Sequence, residues 1–153
     1  MIVRYAQGSD LPKLAALYRQ TVLVNAPEYY THAQTQIWAS FSRDADQFKQ
    51  FILGVTTFVA EDDSGILGFA GIGEEGHVVS TYVRKDYLRR GVGSILMQAV
   101  LEQAREFKLK RLYAEASAFS LGLFQKLGFQ IYDMEVVDRQ GVEFQRYLVE
   151  LNL

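Results

Sequence analysis

The sequence predicts a mixed α/β (α+β) fold, in which a mostly antiparallel sheet of about seven strands is flanked by helices. Short alternating runs rich in β-branched and aromatic residues indicate strands, whereas longer segments with apolar residues every three to four positions indicate amphipathic helices. Several strand-like runs follow one another across short turns rich in Gly and Asp, which favours antiparallel pairing. The 153 residues are expected to form one domain, residues 1–153.

The first third of the chain predicts a strand followed by helices. Residues 2–6 alternate, and Ser9 precedes a helical apolar pattern as its expected N-cap. Thr31 and Gln34 have the spacing of a capping box, which predicts the start of a second helix. Residues 42–53 are expected to continue as a third helical segment.

The remaining two thirds predict further strands and two helices. The strands are expected at residues 55–61, 66–72, 77–83, 112–116, 129–137 and 142–151. A long helix with one apolar stripe opens at Gly91, and a short one from Ser117 to Leu127 is closed by Gly128 in a left-handed conformation. The last strand is expected to expose its ladder, which would allow it to pair with a second copy in a homodimer.

Composition and charge exclude several classes of partner. The formal net charge is −2 and charges of both signs are interspersed, so no basic surface for nucleic acid is expected. No apolar run approaches the roughly 20 residues that span a bilayer, and the N-terminus lacks a signal-peptide pattern, which predicts a cytoplasmic protein without membrane contact. Cysteine is absent and the only histidines are His32 and His77, so no metal site is expected.

A glycine turn gives the strongest chemical signal. The segment Arg89–Ser94 follows a predicted strand and precedes the long helix, which is the setting of a phosphate-binding turn. A helix start offers unpaired amides and a partial positive charge to a pyrophosphate, here the amides of Gly91, Val92, Gly93 and Ser94. Arg89 and Arg90 add positive charge. The motif is neither a Rossmann fingerprint nor a P-loop, and a tight turn for strand–helix packing is the alternative explanation.

Two segments around this turn resemble one known family. Tyr82-Val83-Arg84-Lys85-Asp86-Tyr87-Leu88-Arg89-Arg90-Gly91-Val92-Gly93-Ser94-Ile95-Leu96 resembles the acetyl-CoA-binding motif of the GNAT superfamily of N-acetyltransferases. Gly122-Leu123-Phe124-Gln125-Lys126-Leu127-Gly128-Phe129 resembles the second motif of that family, and the order of elements is similar along the whole chain.

The resemblance implies an activity and a cofactor geometry. The implied activity is that of an acetyl-CoA-dependent N-acetyltransferase. A primary amine attacks the thioester directly and receives the acetyl group. In this family the fourth and fifth strands splay apart, and the pantetheine arm lies in the opening. By resemblance, Tyr82 and Val83 bind the arm, and Ser117 lies beside it.

Three positions depart from the common family pattern. Leu88 stands where Gln or Arg often contacts the turn, and Val79 stands where many members have an acidic base. Phe124 stands where many members have a tyrosine that protonates the departing thiolate, and phenylalanine cannot donate a proton. Ser120 or Ser117 is then the expected aid to the leaving group, although a thiol with a pKa of about 8.5 also leaves tolerably as thiolate.

The missing acidic residue leaves the general base to be identified. An amine with a pKa of about 10 must lose a proton before it attacks. Strand alternation predicts that His77, Val79 and Thr81 share one face, so His77 is the first candidate base and Glu115 on the neighbouring strand is the second. Structural roles for both side chains are the alternative.

Acceptor binding is assigned by resemblance to a bacterial subgroup of small GNAT proteins. The shared feature is an aromatic pair followed by a capped helix with a tryptophan, here Tyr29, Tyr30, His32 and Trp38. Core packing is the alternative for these aromatic residues.

Two alternatives to acetyl transfer also stand. Phe119, Leu121 and Phe124 would suit an acyl group larger than acetyl. The loss of the usual acid and base would suit a non-catalytic acyl-CoA-binding or partner-binding module.

Overall fold

The computed structural model describes residues 1–153 and has the predicted mixed architecture. Its strands are β1 Ile2–Tyr5, β2 Thr56–Asp62, β3 Gly65–Ile72, β4 Val78–Val83, β5 Arg111–Ala116, β6 Gln130–Arg139 and β7 Val142–Asn152. Its α-helices are α1 Leu11–Asn25, α2 His32–Ser40, α3 Ala45–Leu53, α4 Val92–Glu106 and α5 Leu121–Lys126. None of these helices is both long enough and apolar enough to cross a membrane.

The seven strands form two antiparallel sheets that touch at one point. The first sheet has the order β1-β2-β3-β4 and the second the order β5-β7-β6. The only bridge between them is a parallel one between His77 and Tyr113, where the Tyr113 amide donates to the Gly76 carbonyl at 3.0 Å. Beyond this bridge β4 and β5 no longer pair, so the predicted splay of the fourth and fifth strands is confirmed.

The last strand lies inside its sheet rather than at its edge. β7 pairs with β5 through residues such as Leu151 and Leu112, and with β6 through residues such as Phe144 and Val137. The prediction that residues 142–151 expose a ladder is therefore wrong, because the β6–β7 hairpin inserts β7 between β6 and β5. A dimer through that ladder is excluded, because β5 and β6, not β7, are the edge strands of this sheet.

Two apolar cores cover the two faces of the first sheet. On one face α4 buries Leu96 and Val100 completely. On the other, α1 and α3 pack Leu14 and Ile52 around Phe69 of β3, all fully buried. Complete burial of such side chains contributes about 1.5–3 kcal/mol each, so both faces hold β3 and β4 firmly in place.

Two predicted helix starts are confirmed, at the capping box and at Gly91, and three differ, one of which is α3, which begins at Ala45 rather than at residue 42. The capping box is confirmed, since Gln34 N donates to Thr31 Oγ1 at 3.1 Å and Thr31 N to Gln34 Oε1 at 2.9 Å. Ser9 is not an N-cap, because a 3-10 turn, Gly8–Asp10, precedes α1. The short helix α5 starts after the residues 117–120, which form a turn, and Gly128 follows it with the predicted left-handed φ of 94°.

Candidate active site

The glycine turn leaves the first amides of α4 without partners. Gly91 has a φ of 85°, and the first hydrogen bond of the helix runs from Ile95 N to Gly91 O at 3.0 Å. The amides of the four residues Gly91–Ser94 donate to no group of the protein. A Cβ on Gly91 would meet nothing within 4 Å, so Gly91 serves its backbone conformation, whereas a Cβ on Gly93 would lie 3.0 Å from Leu123 Cδ2. Gly93 therefore also allows close packing of α4 on α5.

Two positively charged side chains directly precede these amides in the chain. Arg89 and Arg90 are exposed and form no ion pair, and the Arg90 guanidinium lies 4.9 Å from the centre of the Tyr87 ring. Arg84, by contrast, is paired with Asp86 at 2.7 Å. Leu88 precedes the turn in an extended, half-buried conformation. The turn thus offers four amides and two unpaired guanidinium groups, which is a suitable site for a phosphate anion.

The end of β4 directs main-chain groups into the splay. Arg84 N donates to Leu67 O at 2.7 Å, which makes the neighbouring pair of Gly68 and Val83 a pair without hydrogen bonds. The amide and carbonyl of Val83 therefore point away from β3. The carbonyl accepts from Thr21 Oγ1 of α1 at 2.8 Å, a contact that nothing in the sequence indicated. Tyr82 pairs with Phe69 along β3, and its side chain enters the cavity described below.

A bulge changes the faces of β4 near its start. Gly71 is in register with Ser80 and Ile72 with Val78, so Val79 is the extra residue. The predicted common face of His77, Val79 and Thr81 is therefore interrupted, and Thr81 Oγ1 points to Met97 Sδ of α4 at 3.4 Å. The alternation of side chains along a strand does not continue through a bulge.

The two candidate bases form one hydrogen-bonded pair where β4 and β5 separate. His77 Nε2 lies 2.9 Å from Glu115 Oε2 and 3.0 Å from Oε1, and the His77 ring stacks on Tyr113 with centroids 4.9 Å apart. The hydrogen bond from His77 is the main cause that lowers the pKa of Glu115, and the charge of Arg146 lowers it further. Glu115 therefore stays ionised and can accept a hydrogen bond from Nε2–H, and in that tautomer Nδ1 carries the lone pair of the ring.

A cavity of about 420 Å³ extends from the separated strands β4 and β5 to the segment that carries Tyr30 and Trp38. The predicted site residues on its wall are Tyr30, Trp38, His77, Tyr82, Glu115, Ser117, Ser120 and Phe124. Tyr29 and His32 are exposed and do not line it. The wall also contains side chains that the sequence did not single out, notably Tyr18, Phe41, Phe51, Arg139, Phe144 and Arg146. These residues lie far apart along the chain, so no sequence pattern indicated that they line the same cavity.

The aromatic wall is organised by hydrogen bonds. Tyr30 Oη accepts from Ala118 N at 2.9 Å, and the Tyr30 and Trp38 rings meet edge to face with centroids 5.3 Å apart. Trp38 Nε1 donates to Tyr82 Oη at 3.3 Å. Burial raises the pKa of Tyr30 and of Tyr82 above the ordinary value of 10.0. Both phenols are therefore protonated at neutral pH.

The turn before α5 uses its serines structurally. Ser117 Oγ accepts from Ser120 N at 2.9 Å, Ser120 Oγ accepts from Ser117 N at 3.0 Å, and the two hydroxyl oxygens are 3.0 Å apart. Phe124, one turn further, is buried against Phe129 with ring centroids 5.1 Å apart. These contacts hold the loop that carries Ala118 at the edge of the cavity.

Comparison with known proteins assigns the fold and the family. Residues 26–151 match the family model described as an acetyltransferase (GNAT) domain. An L-methionine sulfoximine/L-methionine sulfone acetyltransferase from Pseudomonas aeruginosa is 33% identical, over 99% of this chain and 94% of that protein. A GCN5-related N-acetyltransferase from Rhodopseudomonas palustris has a TM-score of 0.95 at 24% identity, over 99% of this chain and 95% of that one.

A further solved structure has the same fold. It is the PaiA N-acetyltransferase from Thermoplasma acidophilum in complex with coenzyme A, with a TM-score of 0.77 at 16% identity and complete coverage of both chains. The splayed strands, the glycine turn and the family match over most of the chain agree with one another. This chain is an acyltransferase and belongs to the GNAT family of N-acetyltransferases.

Proposed function

We propose that the chain transfers the acetyl group of acetyl-CoA to the primary amine of a small acceptor by direct attack on the thioester. The observation that carries this proposal is the set of four unpaired amides at Gly91–Ser94, which directly follows the strand that opens the splay. The P. aeruginosa relative is named for the acetylation of amino-acid derivatives, which supports an amine as acceptor.

Coenzyme A binding is assigned mainly to the main chain. The amides of Gly91–Ser94 would bind the pyrophosphate, and Arg89 and Arg90 would add positive charge at the rim. The pantetheine arm would lie along Val83 and the Tyr82 side chain, in the opening between β4 and β5. The PaiA structure, which shares the fold, was solved with coenzyme A, and this supports the same use of the opening here.

The His77–Glu115 pair is proposed as the general base. The low pKa of Glu115 makes its carboxylate a weak base for an amine, so Glu115 is assigned the positioning role and His77 the proton-accepting role. Glu115 holds the Nε2–H side of the ring, as the carboxylate does in a catalytic triad, and Nδ1 accepts the proton. The neutral amine attacks the thioester carbon, the nitrogen releases its second proton to solvent, and the carbon–sulfur bond then breaks with its electron pair on sulfur.

Tyr30 is proposed as the proton donor to that sulfur, in place of the residue that Phe124 cannot supply. Ser117 and Ser120 accept from each other's amides, so they hold the loop. Tyr30 Oη accepts from Ala118 N, which leaves its own proton available, and it lines the same cavity as Phe124. Because a thiol has a pKa of about 8.5, this proton transfer is expected to assist the reaction modestly.

Two measurements on the purified protein test the function. Calorimetric titration with coenzyme A is expected to show saturable binding, and coenzyme A is expected to raise the melting temperature. With acetyl-CoA and a panel of amines, at least one amine should gain one acetyl group while thiol is released in equal amount. Absence of any heat or stabilisation at millimolar coenzyme A would contradict the proposal.

A further inference from the structure

One cation on the cavity wall has no partner. Arg139, the last residue of β6, lines the cavity and takes part in no ion pair or side-chain hydrogen bond. Arg146, the other arginine on the wall, donates from Nε to Glu135 Oε1 at 2.9 Å and lies 4.0 Å from Glu115. Arg139 is therefore the guanidinium that is available to an acceptor.

No carboxylate on the same wall is free to bind a second positive charge of the acceptor. Glu115 is its only acidic residue, and both of its oxygens lie within 3.0 Å of His77. An acceptor with further positive charges, such as a polyamine, would meet Arg139 and find no unpaired carboxylate. The charges of the wall favour an acceptor whose second group is an anion.

The surface between Arg139 and β4 is apolar and aromatic. Tyr18 packs on Tyr82 with ring centroids 4.6 Å apart and on Phe41 at 5.8 Å, and Phe51 lies 5.2 Å from Phe41. Arg139 lies close enough to the phenols of Tyr18 and Tyr82 for its charge to lower the pKa of each, against the larger opposite effect of burial. The cation and the aromatic wall thus belong to one region of the cavity.

We propose that the acceptor is a small amino carboxylate with an apolar or aromatic side group, of the α-amino acid type, whose carboxylate is bound by Arg139. A guanidinium presents two parallel N–H donors that match the two oxygens of a carboxylate. The apolar group would then lie against the Tyr18–Phe41–Phe51 surface, and the amine would point toward the His77–Glu115 pair. This inference rests on the proposed acetyl transfer to a primary amine.

The test compares acceptors that differ only in the carboxylate. L-Leucine and L-phenylalanine are measured against their amides, whose amines are less basic and lose a proton more easily, so that chemistry alone favours the amide. The wild-type chain is expected to have a kcat/KM roughly 10- to 100-fold higher for the acids, the range for a hydrogen-bonded charged group. Arg139→Gln should remove this preference by slowing only the acids, and Arg139→Lys should retain part of it.

The controls separate this inference from the proposed function. Arg105→Gln, an exposed arginine of α4 away from the cavity, should keep the wild-type preference. Arg139→Gln should also keep the wild-type Kd for coenzyme A, which shows that the fold is intact. If amides, polyamines or lysine peptides are acetylated as well as the acids, or if Arg139→Gln keeps the preference, the acceptor class is overturned while acetyl transfer stands. If coenzyme A binds but no amine reacts, both are overturned.

Discussion

The two halves of the proposed active site, one for the cofactor and one for the acceptor, are built from different parts of the chain. The proposed cofactor half, formed by the end of β4 and the start of α4, offers main-chain groups: the amides of Gly91–Ser94 and the outward-facing amide of Val83. The proposed acceptor half lies in the cavity and is formed by side chains from separate elements, among them Trp38 of α2, Phe51 of α3 and Arg139 of β6. A main-chain site depends on a few neighbouring residues, whereas a side-chain site depends on how distant elements pack.

The largest effect is expected where the two halves meet. His77→Gln should lower kcat by roughly 10²- to 10⁴-fold, the usual contribution of a general base, with little change in the Kd for coenzyme A. The loss should shrink as pH rises, because a growing fraction of the amine is then neutral without help from the enzyme. Steady-state rates as a function of pH, together with calorimetry on the same samples, measure both quantities.

A matched variant tests whether this effect belongs to the pair. Glu102→Gln, an exposed carboxylate of α4 that makes no ion pair, should behave as wild type, whereas Glu115→Gln should lower kcat in the same direction as His77→Gln. If kcat of His77→Gln is reduced by the same factor at every pH, the ring has a structural role. The assignment of His77 as general base would then be wrong.

The second effect concerns the cofactor half alone. Gly91→Val should raise the Kd for coenzyme A by about 100-fold, because a β-branched residue at a φ of 85° is strained and shifts the amides that follow. Gly141 in the β6–β7 turn is a close control, since it has a φ of 81° and open space around its Cβ position. Gly141→Val should lose a similar amount of stability and keep the Kd.

The outcome of these two glycine variants decides the role of the turn. Melting temperatures report the strain in each, and calorimetric titration reports the affinity. If both variants bind coenzyme A as the wild type does, the amides at the start of α4 do not bind the pyrophosphate.

The cofactor half could be predicted from the sequence because its signals are local. Gly91 and Gly93 stand two residues apart between a strand and a helix, and the structure has the predicted turn at that place. The proximity of His77 and Glu115 could be anticipated only through the family resemblance, which implies that the fourth and fifth strands are neighbours. The distance of 2.9 Å between them required the bridge at Tyr113, which no pattern indicated.

The acceptor half could be predicted only in part because its residues meet through tertiary packing. Tyr30 and Trp38 line the cavity as expected. Arg139 lines it because β7 inserts between β5 and β6, which places the β6–β7 hairpin next to the cavity. That same insertion is why the last strand has no exposed ladder. Val79 is displaced by a bulge, and strand alternation alone does not reveal where a bulge occurs.

The smallest effect is expected for Tyr30, whose hydroxyl accepts from the Ala118 amide at the cavity wall. Tyr30→Phe should lower kcat with acetyl-CoA by about tenfold or less, since the thiolate can also leave unprotonated. The Ala118 amide would lose its acceptor at a cost of about 1 kcal/mol in stability. Because burial raises the pKa of Tyr30 above 10.0, the donor stays protonated and the ratio of wild-type to variant rates should be constant from about pH 7 to about pH 9.

The choice of leaving group separates proton donation by Tyr30 from a structural role. With an acetyl thioester of a more acidic thiol, the departing thiolate needs no proton, so Tyr30→Phe should then react at nearly the wild-type rate. An equal loss with both donors would mean that Tyr30 only holds the Ala118 loop, and unchanged kinetics with acetyl-CoA would mean that solvent protonates the sulfur. In either case the division into a main-chain half and a side-chain half would stand, but no side chain of the acceptor half would take part in the departure of the thiol.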